Sequence, residues 1–163
     1  MPNLHRRFDE NSLRGAFACF PSGVVAVCAL VDSAPIGLAA SSFVPTSLDP
    51  ALVSLSIART STTWPVLRKL PGIGLSVLAD EHGEQCRALA ARSNDRFAGI
   101  EWTAADTGAL FIDNAALHIE CALEREYPAG DHWIALLTVR AVGAAPDTEP
   151  LVFHGSGFRA LAS

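Results

Sequence analysis

Lysine and arginine form no cluster anywhere in this sequence: 12 basic residues are scattered against 17 acidic ones, for a formal net charge of -5. A nucleic-acid partner is therefore not expected, because the phosphate backbone requires several cations on one face. Long apolar runs are also missing. Gly23–Val31 and Ile36–Ala40 are separated by Asp32-Ser33-Ala34-Pro35, and neither approaches the ~20 residues of a bilayer-spanning helix. At the start of the chain, Met1-Pro2-Asn3-Leu4-His5-Arg6-Arg7 runs into Asp9 and Glu10 instead of an apolar segment, so no signal peptide is read and a cytoplasmic protein is expected. Cysteine is sparse and without pattern. Cys19, Cys28, Cys86 and Cys121 lie in apolar segments with no C-x-x-C spacing, which predicts reduced core thiols, not a zinc or redox site.

The signatures of common catalytic machinery are absent too. No G-x-S-x-G, H-E-x-x-H or G-x-x-x-x-G-K-[ST] occurs, so nucleophile-elbow hydrolysis, zincin chemistry and P-loop phosphate binding lack support. Gly155-Ser156-Gly157 follows the last apolar run and lacks a third glycine, which excludes a Rossmann fingerprint. His118-x-Glu120 puts two possible ligands on one strand face but offers no third, so a solvated face is expected and no metal.

What is present describes one globular domain spanning 1–163. Half of its residues are apolar and 18% are charged, enough to bury a core at this length. Leu13, Ala16, Phe17 and Phe20 recur at helical spacing behind Asn11 or Ser12 and before Pro21-Ser22-Gly23, predicting a short helix that packs one apolar stripe on the rest. Short apolar runs bounded by turn residues then read as strands: Val24–Val31, Ile36–Ala40, Ala51–Ile57 and Ile73–Leu78. Thr62 and Thr63 before Trp64-Pro65 predict a helix ending near Leu70. Another is expected from about Asp80 to Ser93-Asn94, burying Cys86, Leu89 and Ala90. Leu117, Ile119, Cys121 and Leu123 alternate with His118, Glu120, Ala122 and Glu124 as in a half-buried antiparallel strand. Pro128-Ala129-Gly130-Asp131 turns into Trp133–Val142, and Leu151–His154 is the last strand expected. Some seven strands with two or three short helices indicate a closed or partly open antiparallel barrel.

Two loops concentrate hydroxyl groups: Ser41-Ser42-Phe43-Val44-Pro45-Thr46-Ser47, and Ser56-Ile57-Ala58-Arg59-Thr60-Ser61-Thr62-Thr63. The second leads into a predicted helix start, where unpaired N–H groups, hydroxyl donors and Arg59 together make an anion cradle plausible. The alternative is that these are ordinary turn and cap residues, positions that Ser and Thr favour for local reasons.

Six segments in order, Phe17–Val25, Gly37–Phe43, Ser47-Leu48-Asp49-Pro50, Asn94-Asp95-Arg96-Phe97, Gly130-Asp131-His132 and Pro150-Leu151-Val152-Phe153, resemble the flavin reductase-like family. These are the small NAD(P)H:flavin oxidoreductases that serve two-component monooxygenases. The resemblance covers about residues 8–161. It implies a mainly β fold, a split antiparallel β-barrel of the Greek-key, FMN-binding type, working as a homodimer. It further implies FMN or FAD as flavin, NADH or NADPH as hydride source, and a separate monooxygenase that receives reduced flavin. Ala39, Ala40, Ser41 and Ser42, with the segment Ser56, Ile57, Ala58, Arg59, Thr60, Ser61, Thr62 and Thr63, match flavin-contacting loops, the phosphate being expected near Arg59–Thr63. Arg96 and Phe97 match a motif bordering the flavin. His132 matches a position on the nicotinamide side, with Tyr127 lining the same space. Direct hydride transfer needs no protein nucleophile, so His132 is expected to assist at most. A flavin-binding module without turnover and an oxidase of the pyridoxamine-phosphate type remain as alternatives on the same barrel; Gly-Asp-His and Asp-Arg-Phe favour the reductase.

Overall fold

Strand β2 (Val25–Val31) shows why the chain folds as it does. Val25, Val27 and Ala29 belong to one buried cluster, while Ala26, Cys28 and the preceding Val24 belong to another. Successive side chains of a strand point to opposite faces. An unbroken apolar run of this kind therefore marks a strand covered on both sides. The computed structural model describes residues 4–93 and 95–162. Met1, Pro2 and Asn3, used above to judge the start of the chain, and Asn94, used to end a helix and open a motif, lie outside the described residues.

Around β2 the chain builds β3 (Ala34–Ala40), β4 (Val44–Leu48), β5 (Ala51–Ala58), β6 (Ile73–Val77), β9 (Leu117–Ala129) and β10 (His132–Ala144), in the antiparallel order β3-β2-β6-β9-β10-β5-β4. No ladder among the described residues joins the edges β3 and β4, so the barrel is split. Its inner side is the larger cluster, with Leu55, Ile57, Leu75, Cys121 and Leu137 meeting Trp64 and Leu67. The second cluster lies on the other side of β2, beneath Leu78, Leu89 and Leu110. Two tight hairpins set the register. Asp32 and Ser33, both at positive φ, join β2 to β3, and Gly130-Asp131, with Gly130 at φ 61, joins β9 to β10. Both central residues at positive φ characterise the first of these turns, a form that suits strand twist.

Several short strands escaped the sequence reading: β1 (Ser22–Gly23), β7 (Trp102–Ala104), β8 (Leu110–Ile112) and β12 (Gly157–Arg159), which pairs with β11 (Val152–His154). Strand β4 also corrects it, since all of its residues but Leu48 were expected within the loop Ser41–Ser47. Its Pro45 is tolerated because β4 is an edge, with a bulge between Pro45 and Ser47.

The helices follow their capping chemistry more than their apolar spacing. Helix α1 (Glu10–Phe17) is capped by Asp9, whose carboxylate accepts from Ser12 N–H while the Ser12 hydroxyl accepts from Asp9 N–H; Asn11 or Ser12 had been expected as the cap. No α1 residue is buried, and Phe17 and Phe20 are 69% and 77% exposed, so the expected stripe does not pack on this chain. Helix α2 (Trp64–Leu67) is shorter than expected, because bonds from Lys69 to Val66 and from Leu70 to Leu67 tighten the chain into i to i+3 turns. Helix α3 (Gly83–Ala90) buries Cys86 and Leu89 but leaves Ala90 exposed. All four cysteines are free; Cys28, Cys86 and Cys121 are buried as expected, whereas Cys19 is exposed. His118 Nε2 and Glu120 are engaged locally, with the Ile112 carbonyl at 2.7 Å and the Thr107 hydroxyl at 2.8 Å.

Candidate functional site

The end of β3 and the loop after it lie against the end of β5, and the β9–β10 hairpin closes the third side. This follows from register: His132, the first residue of β10, pairs with Ala58 on one side and Ala129 on the other. The result is a recess of about 330 Å³ whose lining includes Ala39, Ala40, Ser41, Ser42, Ser56, Ile57, Ala58, Ser61 and His132. Both hydroxyl-bearing segments thus converge with the Gly-Asp-His histidine. The only bulk on the β3 side is Leu38; the small side chains after it leave backbone accessible to a flat ligand.

A second recess of about 460 Å³ adjoins the first, since Gly37 and Thr62 line one while their neighbours Leu38 and Ser61 line the other. Thr62, Thr63, Arg96 and Phe97 are part of its lining. Arg96 is held firmly there, with Nη1 donating to the Gly37 carbonyl at 3.0 Å and to Thr63 Oγ1 at 3.1 Å. No carboxylate pairs with it among the described residues. Gly37 itself must lack a side chain, because a Cβ would lie 2.5 Å from Cys28 Sγ and 3.0 Å from Phe97 Cζ.

Arg59, Thr60 and Tyr127 line neither recess. The Arg59 guanidinium lies over the Trp133 ring, 4.6 Å from its centroid, and its backbone N–H donates to the Asp131 carbonyl. Tyr127 is exposed on β9, two residues from Ala129, which puts it on the same strand face as His132. Some hydroxyls do the local work that the alternative reading assigned them. Ser42 Oγ donates to the Ser56 carbonyl and accepts from Ser56 N–H, both at 2.9 Å, clipping the first loop to β5. Thr63 stands at the N-cap position of α2, as expected, but makes no side-chain bond there; Ser61 Oγ accepts from Trp64 N–H instead. Lining residues that the sequence reading missed include Val31, Pro35, Ile36 and Val66. These carry no polar signal; only the hairpin turn at Asp32-Ser33 brings the first three near α2.

The titratable groups here suit binding better than acid–base work. The Asp131 carboxylate accepts from His132 Nδ1 at 2.8 Å, and that bond with the nearby imidazole charge holds its pKa below the usual carboxylate value. With Nδ1 donating, Nε2 is left for a ligand. Burial pushes the thiol pKa of Cys28 upward, as it does for Cys86, so neither supplies a thiolate nucleophile.

Glu126 braces α2, the helix that directly follows Thr62 and Thr63 of the second recess. It accepts from Trp64 Nε1 and, at 2.9 Å, from Arg68 Nη1, with its side chain only 15% exposed. It therefore ties β9 to α2, directly after Thr62 and Thr63.

A split barrel whose mouth offers backbone, hydroxyls and one fixed guanidinium defines a class of protein: a binder of a flat, anionic nucleotide cofactor or substrate. Known proteins sharpen this. The family model described as a flavin reductase like domain matches residues 17–162. The reductase subunit HsaB of a flavin-dependent monooxygenase from Rhodococcus jostii (strain RHA1) is 32% identical over 90% of this chain and 75% of its own length. Actinorhodin polyketide dimerase from Streptomyces coelicolor is 37% identical over 95% of this chain and 88% of its own length. Among solved structures, the NADH:FAD oxidoreductase SgcE6 of Streptomyces globisporus C-1027, in complex with NAD and FAD fragments, superposes with a TM-score of 0.89 at 35% identity, covering 94% of this chain and 93% of that one. The chain belongs to the flavin reductase-like family. It is an NAD(P)H-dependent flavin reductase, as the resemblance of its motifs implied.

Proposed function

We propose that the central recess holds the flavin ring and that the reduced flavin serves a separate monooxygenase. The observation carrying this is the convergence of Ala39–Ser42, Ser56–Ala58 and His132 on one recess, with Gly37 and Thr62, the chain neighbours of its Leu38 and Ser61, lining the recess that holds Arg96. A bound flavin supplies a hydride acceptor for NADH or NADPH, chemistry that belongs to the two cofactors. The chain's own task is positioning, which can lower a barrier by several kcal/mol. Ala39 and Ala40 let a flat ring approach backbone closely. Arg96 and Thr63 offer donors to a phosphate. His132, its Nδ1 fixed by Asp131, contacts the nicotinamide through Nε2.

A homodimer and a cytoplasmic location complete the proposal. Three buried free thiols suit a reducing compartment, and no helix among the described residues is long and apolar enough to cross a membrane. The oxygenase partner is supported by the kinship with a monooxygenase reductase subunit. Mixing the purified protein with NADH or NADPH and either FMN or FAD, and following nicotinamide absorbance, is expected to show oxidation that depends on added flavin. No oxidation with any of the four pairs would overturn the reading.

A further inference from the structure

We infer that a third recess, apart from the two at the barrel mouth, binds a small amino alcohol, a protonated amine with hydroxyl groups on neighbouring carbons. It lies where the start of α3 meets the residues just before β7 and just after β8, and it shares no lining residue with the other two. Its volume is about 270 Å³, just below the ~300–1,000 Å³ of drug-sized sites, so the ligand is small. Three carboxylates, Glu81, Glu101 and Asp113, belong to the lining, and no lysine or arginine does. None of the three enters an ion pair among the described residues. Such a lining repels anions and favours a cation. A bare metal ion is a poor match, because no group of three His, Cys, Asp or Glu among the described residues is placed to hold one. The negative groups are spread around the recess, which suits an organic ammonium that makes further hydrogen bonds of its own.

Acidic side chains alone would make a solvated face; two buried polar groups mark a ligand. His82, also of the lining, is only 5% exposed. Its Nδ1 accepts from Ala79 N–H at 3.0 Å, so Nε2 carries the ring proton. Burial holds the imidazole pKa below its usual value, against the pull of Glu81 and Asp80, and the ring is neutral near pH 7. Nε2 has no partner among the described residues and is not enclosed. A neutral N–H in this position calls for a neutral oxygen such as a hydroxyl, and it adds no positive charge against a bound amine. Gln85, three residues on, lines the same recess and has its Oε1 enclosed without a hydrogen-bond partner, an exception among buried polar atoms. A donor supplied by the ligand would satisfy it. One unpaired donor, one unpaired acceptor and a carboxylate surround together match an ammonium beside a hydroxyl.

Calorimetric titration of the protein with glucosamine, glucose and spermidine tests this. Glucosamine carries an ammonium flanked by hydroxyls and is expected to bind. Glucose, which lacks the charge, and spermidine, which lacks the hydroxyls, are each expected to bind at least about tenfold more weakly. Glu101→Gln and Asp113→Asn each remove one charge at nearly constant size and should weaken glucosamine by about tenfold. Glu101 is exposed, so its variant should fold normally and keep flavin-dependent oxidation of NADH within about twofold of the parent, a change of no more than ~0.4 kcal/mol. Glu84→Gln, on α3 but outside the lining, controls for general surface charge and should leave glucosamine affinity within about twofold. No binding of glucosamine, equal binding of glucose or spermidine, or equal weakening by Glu84→Gln would overturn the inference. None of these results bears on the reductase reading, which the flavin and nicotinamide assay tests by itself.

Discussion

At Gly74 one hydrogen atom decides whether two strands can cross. A Cβ there would lie 2.0 Å from the Leu110 carbonyl oxygen and 2.6 and 2.8 Å from the same residue's carbonyl carbon and nitrogen, all backbone atoms that cannot swing aside. Gly74→Ala is therefore expected to cost about 3 kcal/mol or more, the upper range for overpacking. That corresponds to a fall in Tm of roughly 6–12 °C at this chain length. Gly143, with nothing within 4 Å, is the control, and its alanine variant should change stability by less than about 0.5 kcal/mol. Equal melting curves for the two variants would contradict the geometry. The reason for this glycine was not legible in the sequence. Ile73–Leu78 reads as a strand from its apolar run, but the atoms that forbid a side chain belong to β8, three residues long and too short to leave a periodic signal. The cation of the site was half legible for the same kind of reason. Arg59 stands among the hydroxyls in sequence, yet it lies on Trp133 in the fold, and Arg96 reaches Thr63 from 33 residues away.

At the scale of elements, α2 needs outside support, since an isolated helix of one turn is far below the length that sustains itself. Its sequence signature, hydroxyls followed by Trp64-Pro65, was readable because capping and the proline preference are local. What holds it was not: Trp64 and Leu67 sit in the barrel core, and Glu126 of β9 accepts from both Trp64 and Arg68. Glu126→Ala leaves the buried Trp64 N–H without its acceptor, a loss of about 1–3 kcal/mol. It should also loosen Thr62 and Thr63 and so raise KM for flavin, while kcat at saturating flavin stays near that of the parent. Glu126→Gln keeps an acceptor for the indole and should restore most of the flavin affinity. A variant that melts lower yet has an unaltered flavin KM would show that Glu126 supports the barrel alone and does not position the loop.

For the whole molecule, the apolar surface that this chain leaves uncovered argues for association. Helix α1 has a cap and an amphipathic spacing but buries nothing, with Phe17 and Phe20 largely exposed. Leu48 is 96% and Val44 52% exposed on β4, and Ile134 on β10 and Tyr127 on β9, separated from β4 by β5, are also exposed. Bare apolar side chains around one groove, as Phe20 and Val44 are, mark contact surfaces in soluble proteins. A groove of about 510 Å³ between Phe20 and Val44 shares Ser41, Ser42 and Ser56 with the central recess, so whatever covers the groove also touches residues of the recess proposed for the flavin. Pro45 and the bulge beside it remove the regular backbone pairing that an edge strand would offer. Contact should therefore run through side chains, not by extension of the sheet. Light scattering is expected to report twice the chain mass at micromolar concentration. Leu48→Lys puts a charge into that contact, so it should shift the protein toward monomer and weaken flavin binding by about tenfold, a loss of about 1.4 kcal/mol. A parent protein that is monomeric at all concentrations yet binds flavin and turns over at full rate would separate the exposed face from the site, and α1 would then need another partner to account for its bare phenylalanines.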